Sequence, residues 1–390
     1  MNRAWQQLKN VYHFFQSHWW RLFYGDPSRD MHVYGITGSN GKTTTSVVLG
    51  AILREHFGKE KVGLLSTDWF WFGATEEANA THMTTTDSKV VWRLLARMKK
   101  AGVTHVVMEM TSHALDQHRL SGIRLDGAAI INITHEHLDY HKTMAALAEA
   151  KGKIANYLKA GGALVVNKSD EWARKSAERR DGVTWFTHEE AKKIETPLLG
   201  SFNKENVLAA TLLARSAGVT EAAIVSGVAQ VKDIPGRVEW LSLPNGARAV
   251  VDFALSPDAL ERLYQYLRPE TKGKLYGVFG AAGRRDKTKR PILTKMATKY
   301  LDELILCQDE PYDDPEEEIY QQLEQGLAGA TIPWRRIEDR REAIRYALEQ
   351  AGPGDVVAVT GMGNYDIRVV GDKKIPWKDK DVILELAKEL

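Results

Sequence analysis

Residues 35–45 read Gly-Ile-Thr-Gly-Ser-Asn-Gly-Lys-Thr-Thr-Thr, between a short apolar run at Val33–Ile36 and a helical pattern at Ser46–Leu53. A glycine-punctuated loop in that setting turns backbone N–H groups onto phosphate oxygens, and the helix that leaves it adds a favourable dipole. Gly38, Ser39, Asn40, Gly41 and Thr44 are the expected cradle. Lys42 can neutralise the β- and γ-phosphates, and Thr43 can offer its hydroxyl to Mg²⁺. The chemistry is thereby tied to a nucleotide triphosphate. The strict form of such a loop has glycine at position 36, where this chain has Ile36, with Gly35 one place early.

Two further clusters follow. Met108-Glu109-Met110-Thr111-Ser112-His113 closes an apolar run, which puts the Glu109 carboxylate at a strand's carboxyl end, where α/β sheets bind ligands. Glu109 is therefore placed to hold Mg²⁺ beside the loop. Asn132–His141 carries three histidines and two acids in ten residues. His137 is the expected metal ligand, and His135 and His141 read as surface residues.

These groups must be carried by alternating strands and helices. Strands are expected at Val33–Ile36, Val62–Ser66, His105–Met110, Ala128–Ile133 and Ala163–Val166. A charged, weakly patterned stretch covers Asp170–Arg180, and 203–230 looks helical. After Pro235-Gly236 a second series opens, with strands at Ala249–Phe253, Leu275–Phe279, Glu303–Cys307 and Val356–Thr360. The alternation predicts an α/β protein with mostly parallel sheets. Its expected parts are an N-terminal helix over 1–30, a central domain over 31–242 and a C-terminal domain over 243–390. In the helix Trp5, Leu8, Tyr12, Phe15, Trp19 and Leu22 recur at steps of three and four, and Asp26-Pro27-Ser28 ends it. With Arg3, Lys9 and Arg21 beside them, these aromatics could lie on a membrane surface. The expected arrangement is a helix docked on the next domain or on a partner subunit.

Composition narrows the class. Among 390 residues, 53 Lys and Arg nearly balance 51 Asp and Glu, so nothing global argues for nucleic acid. The single cysteine, Cys307, allows neither an internal disulfide nor a cysteine metal site, which suits a reducing cytoplasm. No apolar run reaches the roughly 18 residues that a membrane-spanning helix needs, and no secretory signal is evident.

The loop GITGSNGKTTT, MEMTSHALDQHR (108–119) and NITHEHLDYH (132–141) resemble the ATP-dependent Mur ligases, most nearly the MurE-like branch that adds the third amino acid of the peptidoglycan stem. The likeness continues through GSFNKENVLAA (200–210), IPGRVEW (234–240), VVDFALSPDAL (250–260), FGAAGRRDKTKRP (279–291) and GDVVAVTGMGN (354–364). It implies a central P-loop ATPase domain followed by a smaller Rossmann-like domain. It also implies an ADP-forming ligation in which a carboxylate attacks the γ-phosphorus of ATP and an amine displaces phosphate from the acyl phosphate. One Mg²⁺ would be held by Thr43 and Glu109. A second would be held by His137 and by Lys151 carrying a CO₂-derived carbamate, on a helix expected over Met144–Tyr157.

Softer implications place Asn203, Asn206, Arg237, Asp252, Lys287, Lys289 and Arg290 toward ATP. Thr84, Thr85, Ser112, Gln117, Arg119 and Arg285 would face a muramoyl-peptide acceptor, and Asp309, Glu310, Tyr312, Gly361 and Tyr365 the amino-acid pocket. With nucleotide-contacting residues in both domains, closure is expected to assemble the site. A cytoplasmic monomer or homodimer is expected, with peripheral membrane contact open to residues 1–25 alone.

Three departures stand out. The family's N-terminal uridine-binding domain has only about 30 residues as its counterpart here. The family's Asp-Asn-Pro-Arg reads Asp309-Glu310-Pro311-Tyr312, with Asp313 and Asp314 beyond, an acidic replacement that suits a cationic side chain such as lysine. Gly-Lys-Gly-His-Glu becomes Gly361-Met362-Gly363-Asn364-Tyr365, and Leu255 stands where the family has histidine. The expected function is amino-acid addition to a muramoyl-dipeptide-type acceptor. The alternatives are a lipid-linked or non-peptidoglycan acceptor, or a catalytically silent nucleotide-binding relative.

Overall fold

Apolar runs without polar alternation have no solvent face, and a sheet covered on both sides accommodates them. The computed structural model describes residues 3–390. The side chains of Arg3, Ala4, Trp5 and Gln7 lie outside the described residues, so the roles expected of Arg3 and Trp5 do too. Contacts divide the chain into one unit of Met1–Thr134 with His141–Lys232, and another of His135–Tyr140 with Asp233–Leu390.

The first unit holds an eight-stranded sheet. Its strands are β1 (His32–Thr37), β2 (Val62–Leu65), β3 (Trp69–Phe72), β4 (Thr75–Ala78), β5 (His105–Glu109), β6 (Leu125–Ile130), β7 (Leu158–Asn167) and β8 (Val183–Phe186), in the order β4-β3-β2-β5-β1-β6-β7-β8. From β2 to β8 the pairing is parallel, and β3 and β4 add an antiparallel edge. That edge was not expected, because the consecutive aromatics of Trp69–Phe72 hide a period of two. β4 is fully exposed and charged, with Glu76 paired to Arg54 and Glu77 to Arg97, which blunts the edge against further pairing. β6 stops at Ile130 rather than Ile133, which releases Asn132–Thr134 to the loop level.

Helices α1 (Arg3–Phe23), α2 (Lys42–Phe57), α3 (Ser88–Lys100) and α4 (Ser112–Asp116) precede β6. The expected helix over 144–157 is an α-helix only over Met144–Gly152 and continues as a 3₁₀ turn. Asp170–Arg180 proves ordered: Asp170 caps a helix at Glu171–Ala177 by accepting from Ala173 N at 2.7 Å. The expected 203–230 helix is two, Ser201–Ser216 and Glu221–Gln230, and Thr220 caps the second. Both pack on α2. At Gly227 a Cβ would lie 2.6 Å from Ile52 Cα, so the backbones touch.

The second unit holds β9 (Glu239–Ser242), β10 (Arg248–Asp252), β11 (Leu275–Phe279), β12 (Glu303–Leu306), β13 (Trp334–Arg336) and β14 (Val356–Thr360), in the order β13-β12-β11-β14-β10-β9. All pairs are parallel except β9 on β10. Because β9 already belongs to this sheet, the unit takes up at Asp233, ahead of the boundary expected near residue 243. A separate hairpin, β15 (Ile367–Val370) with β16 (Lys373–Pro376), joins Tyr312 through a bridge to Val370. Beneath the sheet, Arg340 and Asp379 are both fully buried and meet through two hydrogen bonds of 2.8 and 2.6 Å.

Candidate functional site

β1 ends at Thr37, α2 begins at Lys42, and the four residues between them are shaped by distant side chains. Asn132, just past β6, accepts from Asn40 N at 2.8 Å and donates to Asn40 O at 3.0 Å, while Ser39 N donates to Asn132 O at 2.9 Å. Ser39 Oγ donates to Thr134 O, and Thr134 N donates back to Ser39 Oγ. Asn132 therefore works as an extra sheet rung for the loop. Its part was not read from the sequence, although a buried amide directly after a strand bordering β1 is the signal.

Gly41 has φ +82°, and a Cβ there would fall 2.1 Å from Asn206 Oδ1, so both backbone and space demand glycine. Asn206 is buried and donates to Asn203 Oδ1 at 2.9 Å, and Asn203 donates to Leu199 O. These two asparagines of the Ser201–Ser216 helix stand directly on the start of α2. Gly35 does not serve the loop. It is an interior residue of β1, where a Cβ would meet Met110 Sδ at 2.6 Å and Leu125 Cδ1 at 2.8 Å.

Lys42 Nζ donates to Gly38 O and Ser39 O, both at 2.9 Å, and Lys151 Nζ donates to the same Gly38 O at 2.7 Å. Lys151 is 1% exposed. Two lysine side-chain nitrogens thus meet on one carbonyl at the loop.

Glu109 ends β5 with its side chain buried. It accepts from Thr67 N and Thr67 Oγ1, each at 3.0 Å, with the Thr43 side chain close by. Burial pushes its carboxyl above the usual range, against the pull of Lys42, Thr67 and Thr43, while Asp68 adds to the rise. Thr67 lies two residues past β2 and Glu109 at the end of β5, and the same strand-end rule would have found it. Thr67 also donates to Thr84 Oγ1 at 3.0 Å. Thr85 Oγ1 donates to Glu109 O at 2.9 Å and accepts from Thr111 N, and Arg119 donates to Thr85 O at 3.1 Å. The threonines and arginine expected to face an acceptor therefore also brace the Glu109 strand end. Gln117 caps the C-terminal end of α4. Among the described residues no three His, Cys, Asp or Glu side chains converge as a ready cation site. The hydroxyl–carboxylate pair of Thr43 and Glu109 is the oxygen donor set that Mg²⁺ prefers.

The two histidines expected at the surface are engaged. His141 is buried, with Nε2 3.0 Å from Ser112 Oγ. His135 Nε2 lies 3.2 Å from Asp286 Oδ2, which also accepts from Leu138 N. His137 is half-buried with φ +52°, a left-handed conformation that a non-glycine residue seldom takes, and its Nε2 is 3.7 Å from Glu136 Oε2.

In the second unit Asp252, at the end of β10, accepts from Val238 N at 2.7 Å and Ala254 N at 2.8 Å. Burial pushes its carboxyl up, and Arg237 opposes the rise. Arg237 sits 4.5 Å over the Phe253 ring, whose other neighbour is Tyr365 at 5.0 Å. Arg290, which the resemblance places toward ATP, is fully buried. It donates to Asp314, Ala282 O and Gln322, and so holds the loop's own base. Lys287 is exposed and pairs with Glu318. Lys289 donates to Leu255 O at 2.8 Å, and burial together with Arg285 lowers its ammonium's proton affinity.

The acidic segment does not act as one patch. Asp313 pairs with Arg284 and Asp314 with Arg290, which leaves Asp309 and Glu310. Asp309 is buried, and its Oδ2 accepts no hydrogen bond among the described residues. A Cβ at Gly361 would lie 2.8 Å from that oxygen. Glu310 accepts from Val369 N and Tyr312 OH, and burial with Asp309 nearby raises its carboxyl to about 7.

Comparison with known proteins adds a family likeness over most of the chain. The Mur ligase middle domain family matches residues 36–187, and the Mur ligase glutamate ligase domain family matches 236–363. The UDP-N-acetylmuramoyl-L-alanyl-D-glutamate–2,6-diaminopimelate ligase of Alkalilimnicola ehrlichii is 34% identical, over 94% of this chain and 78% of the relative. That of Geobacillus thermodenitrificans is 33% identical over 94% and 81%. A solved structure of a ligase of that name superposes with TM-score 0.58 at 27% identity, covering 98% of this chain and 83% of the other. A Mycobacterium tuberculosis folylpolyglutamate synthase bound to ADP shares the fold at TM-score 0.72 and 17% identity, over 89% and 91%.

Proposed function

The chain belongs to the Mur ligase family, a group of ATP-dependent ligases, and we propose that it joins an amino acid to the free carboxylate of a muramoyl-dipeptide-type acceptor. The observation that carries this reading is the buried Glu109 carboxylate, fastened by Thr67 and held close to Thr43 beside a phosphate loop. The names of the related ligases supply the acceptor class.

The loop N–H groups and Lys42 receive the β- and γ-phosphates. The acceptor carboxylate forms its bond to the γ-phosphorus as the bond to ADP breaks. The amine then forms the amide bond, phosphate leaves the acyl carbon, and the amine gives up a proton. Two anions must approach one another in the first step, and cationic groups at the loop lower that barrier. Thr43 and Glu109 would hold Mg²⁺, which supplies charge neutralisation at the phosphates. Lys151 as an amine is a donor. It becomes an oxygen donor only after its nitrogen adds to the carbon of CO₂ and loses a proton. Incubation with ¹³C-bicarbonate should give a carbamate carbon resonance that Lys151→Met abolishes.

For the incoming amino acid, the buried pair Asp309 and Glu310 favours a lysine-like side chain. The test is phosphate release from ATP with UDP-linked muramoyl dipeptide and a panel of amino acids. Release with lysine above diaminopimelate is expected, and Lys151→Met should abolish it. No release with any member, by either protein, would end the ligase reading, while a preference for diaminopimelate would overturn only the side-chain assignment.

A further inference from the structure

Helix α1 is amphipathic, and it presents its faces in the reverse of the usual order. Its small and polar residues face the protein. Ser17 is fully buried, donates to Ser121 O at 2.8 Å and accepts from Trp92 Nε1 at 3.0 Å, and Asn10 donates to Asp116 O at 3.0 Å. Arg21 packs against Gly122, and Lys89 lies over the Trp20 ring. Its large apolar residues face outward, with Phe15 and Trp19 each 66% exposed and Leu22 75%. Leu8, Val11, Tyr12 and Phe23 extend this face to about a third of the helix circumference at 3.6 residues per turn. That is wider than the narrow seam of a paired coiled coil. A patch of this kind on an anchored helix marks a contact surface.

Charge selects the occupant. From Arg3 to Phe23 the helix has no carboxylate and carries Arg3, Lys9 and Arg21 with two histidines. The cleft at its C-terminal foot gathers Arg21, Arg29, Arg124 and Lys159 with Asp26; Arg21 pairs with Asp26 and Lys159 with Asp126, so the exposed Arg29 and Arg124 carry its excess positive charge. A second copy would bring two acid-free cationic helices together. An anionic lipid surface matches both the aromatic face and the cations around it. We propose that α1 lays its aromatic face on an anionic phospholipid bilayer while its polar face keeps the first unit attached.

The whole chain is tested by flotation with phosphatidylcholine vesicles containing about a third phosphatidylglycerol, against pure phosphatidylcholine. Binding to the anionic vesicles is expected, with a blue shift of tryptophan emission and weakening as salt rises. Phe15→Ser/Trp19→Ser/Leu22→Ser should lose about tenfold or more of that binding. Because the three side chains are exposed, its circular dichroism and melting temperature should match the parent. Arg29→Gln/Arg124→Gln should weaken binding to anionic vesicles only. Equal binding to both vesicle types, or no vesicle binding, would overturn the proposal. So would a concentration-dependent dimer in sedimentation that the triple variant abolishes without any vesicle binding by the parent.

Discussion

Glu310 shows how one side chain records its surroundings. Burial and the neighbouring Asp309 raise its carboxyl from 4.5 to about 7. The folded state therefore holds a proton that the unfolded state has released, and stability falls as pH rises from about 4.5 to about 7. Glu310→Gln keeps the shape without the charge. Its melting temperature should exceed the parent's at pH 8 and match it near pH 4, and an equal gain at both would show that folding does not raise the Glu310 carboxyl. At this scale the sequence was legible wherever spacing encodes chemistry, as with Lys42, Thr43 and Glu109. It was not legible for Arg290 or Asn132. The burial of Arg290 depends on Asp314 and Gln322, 24 and 32 residues away. Asn132 matters through a contact to Asn40, 92 residues away.

Elements add effects that no single residue has. His32 of β1 is in register with His105 of β5, their rings stack at 4.9 Å, and Phe57 at the end of α2 stacks on His105 at 3.8 Å. Burial, with His32 nearby, lowers the His105 imidazole to about 4. Because this folded value lies below the unfolded one, stability is retained above pH 6.5 and lost as pH falls toward 4. His105→Phe should raise the melting temperature at pH 5 by more than at pH 8, and equal shifts would remove the histidine from the acid response. The buried parallel strands were readable because their runs are continuous. The β3–β4 edge and the break between the helices at 201–216 and 221–230 were not, since aromatic repeats and one glycine carry little periodic signal.

Over the whole molecule, each unit has its own sheet and its own buried core. Asp379→Ala leaves the Arg340 guanidinium buried without its carboxylate, a loss of roughly 3–5 kcal/mol. Calorimetry should show a transition for the second unit falling by roughly 10 °C while that of the first stays in place. A single transition shifted as a whole would mean that the cores melt together. The alternation of elements announced two α/β units. The boundary near 233 was hidden because β9 pairs antiparallel through a short turn. The hydrogen bonds from Asn132 to the phosphate loop span 92 residues. During synthesis, then, the loop cannot take its final shape until β6 has emerged and docked beside β1. The nucleotide site is a late, long-range product of folding and not a local motif that forms as it leaves the ribosome.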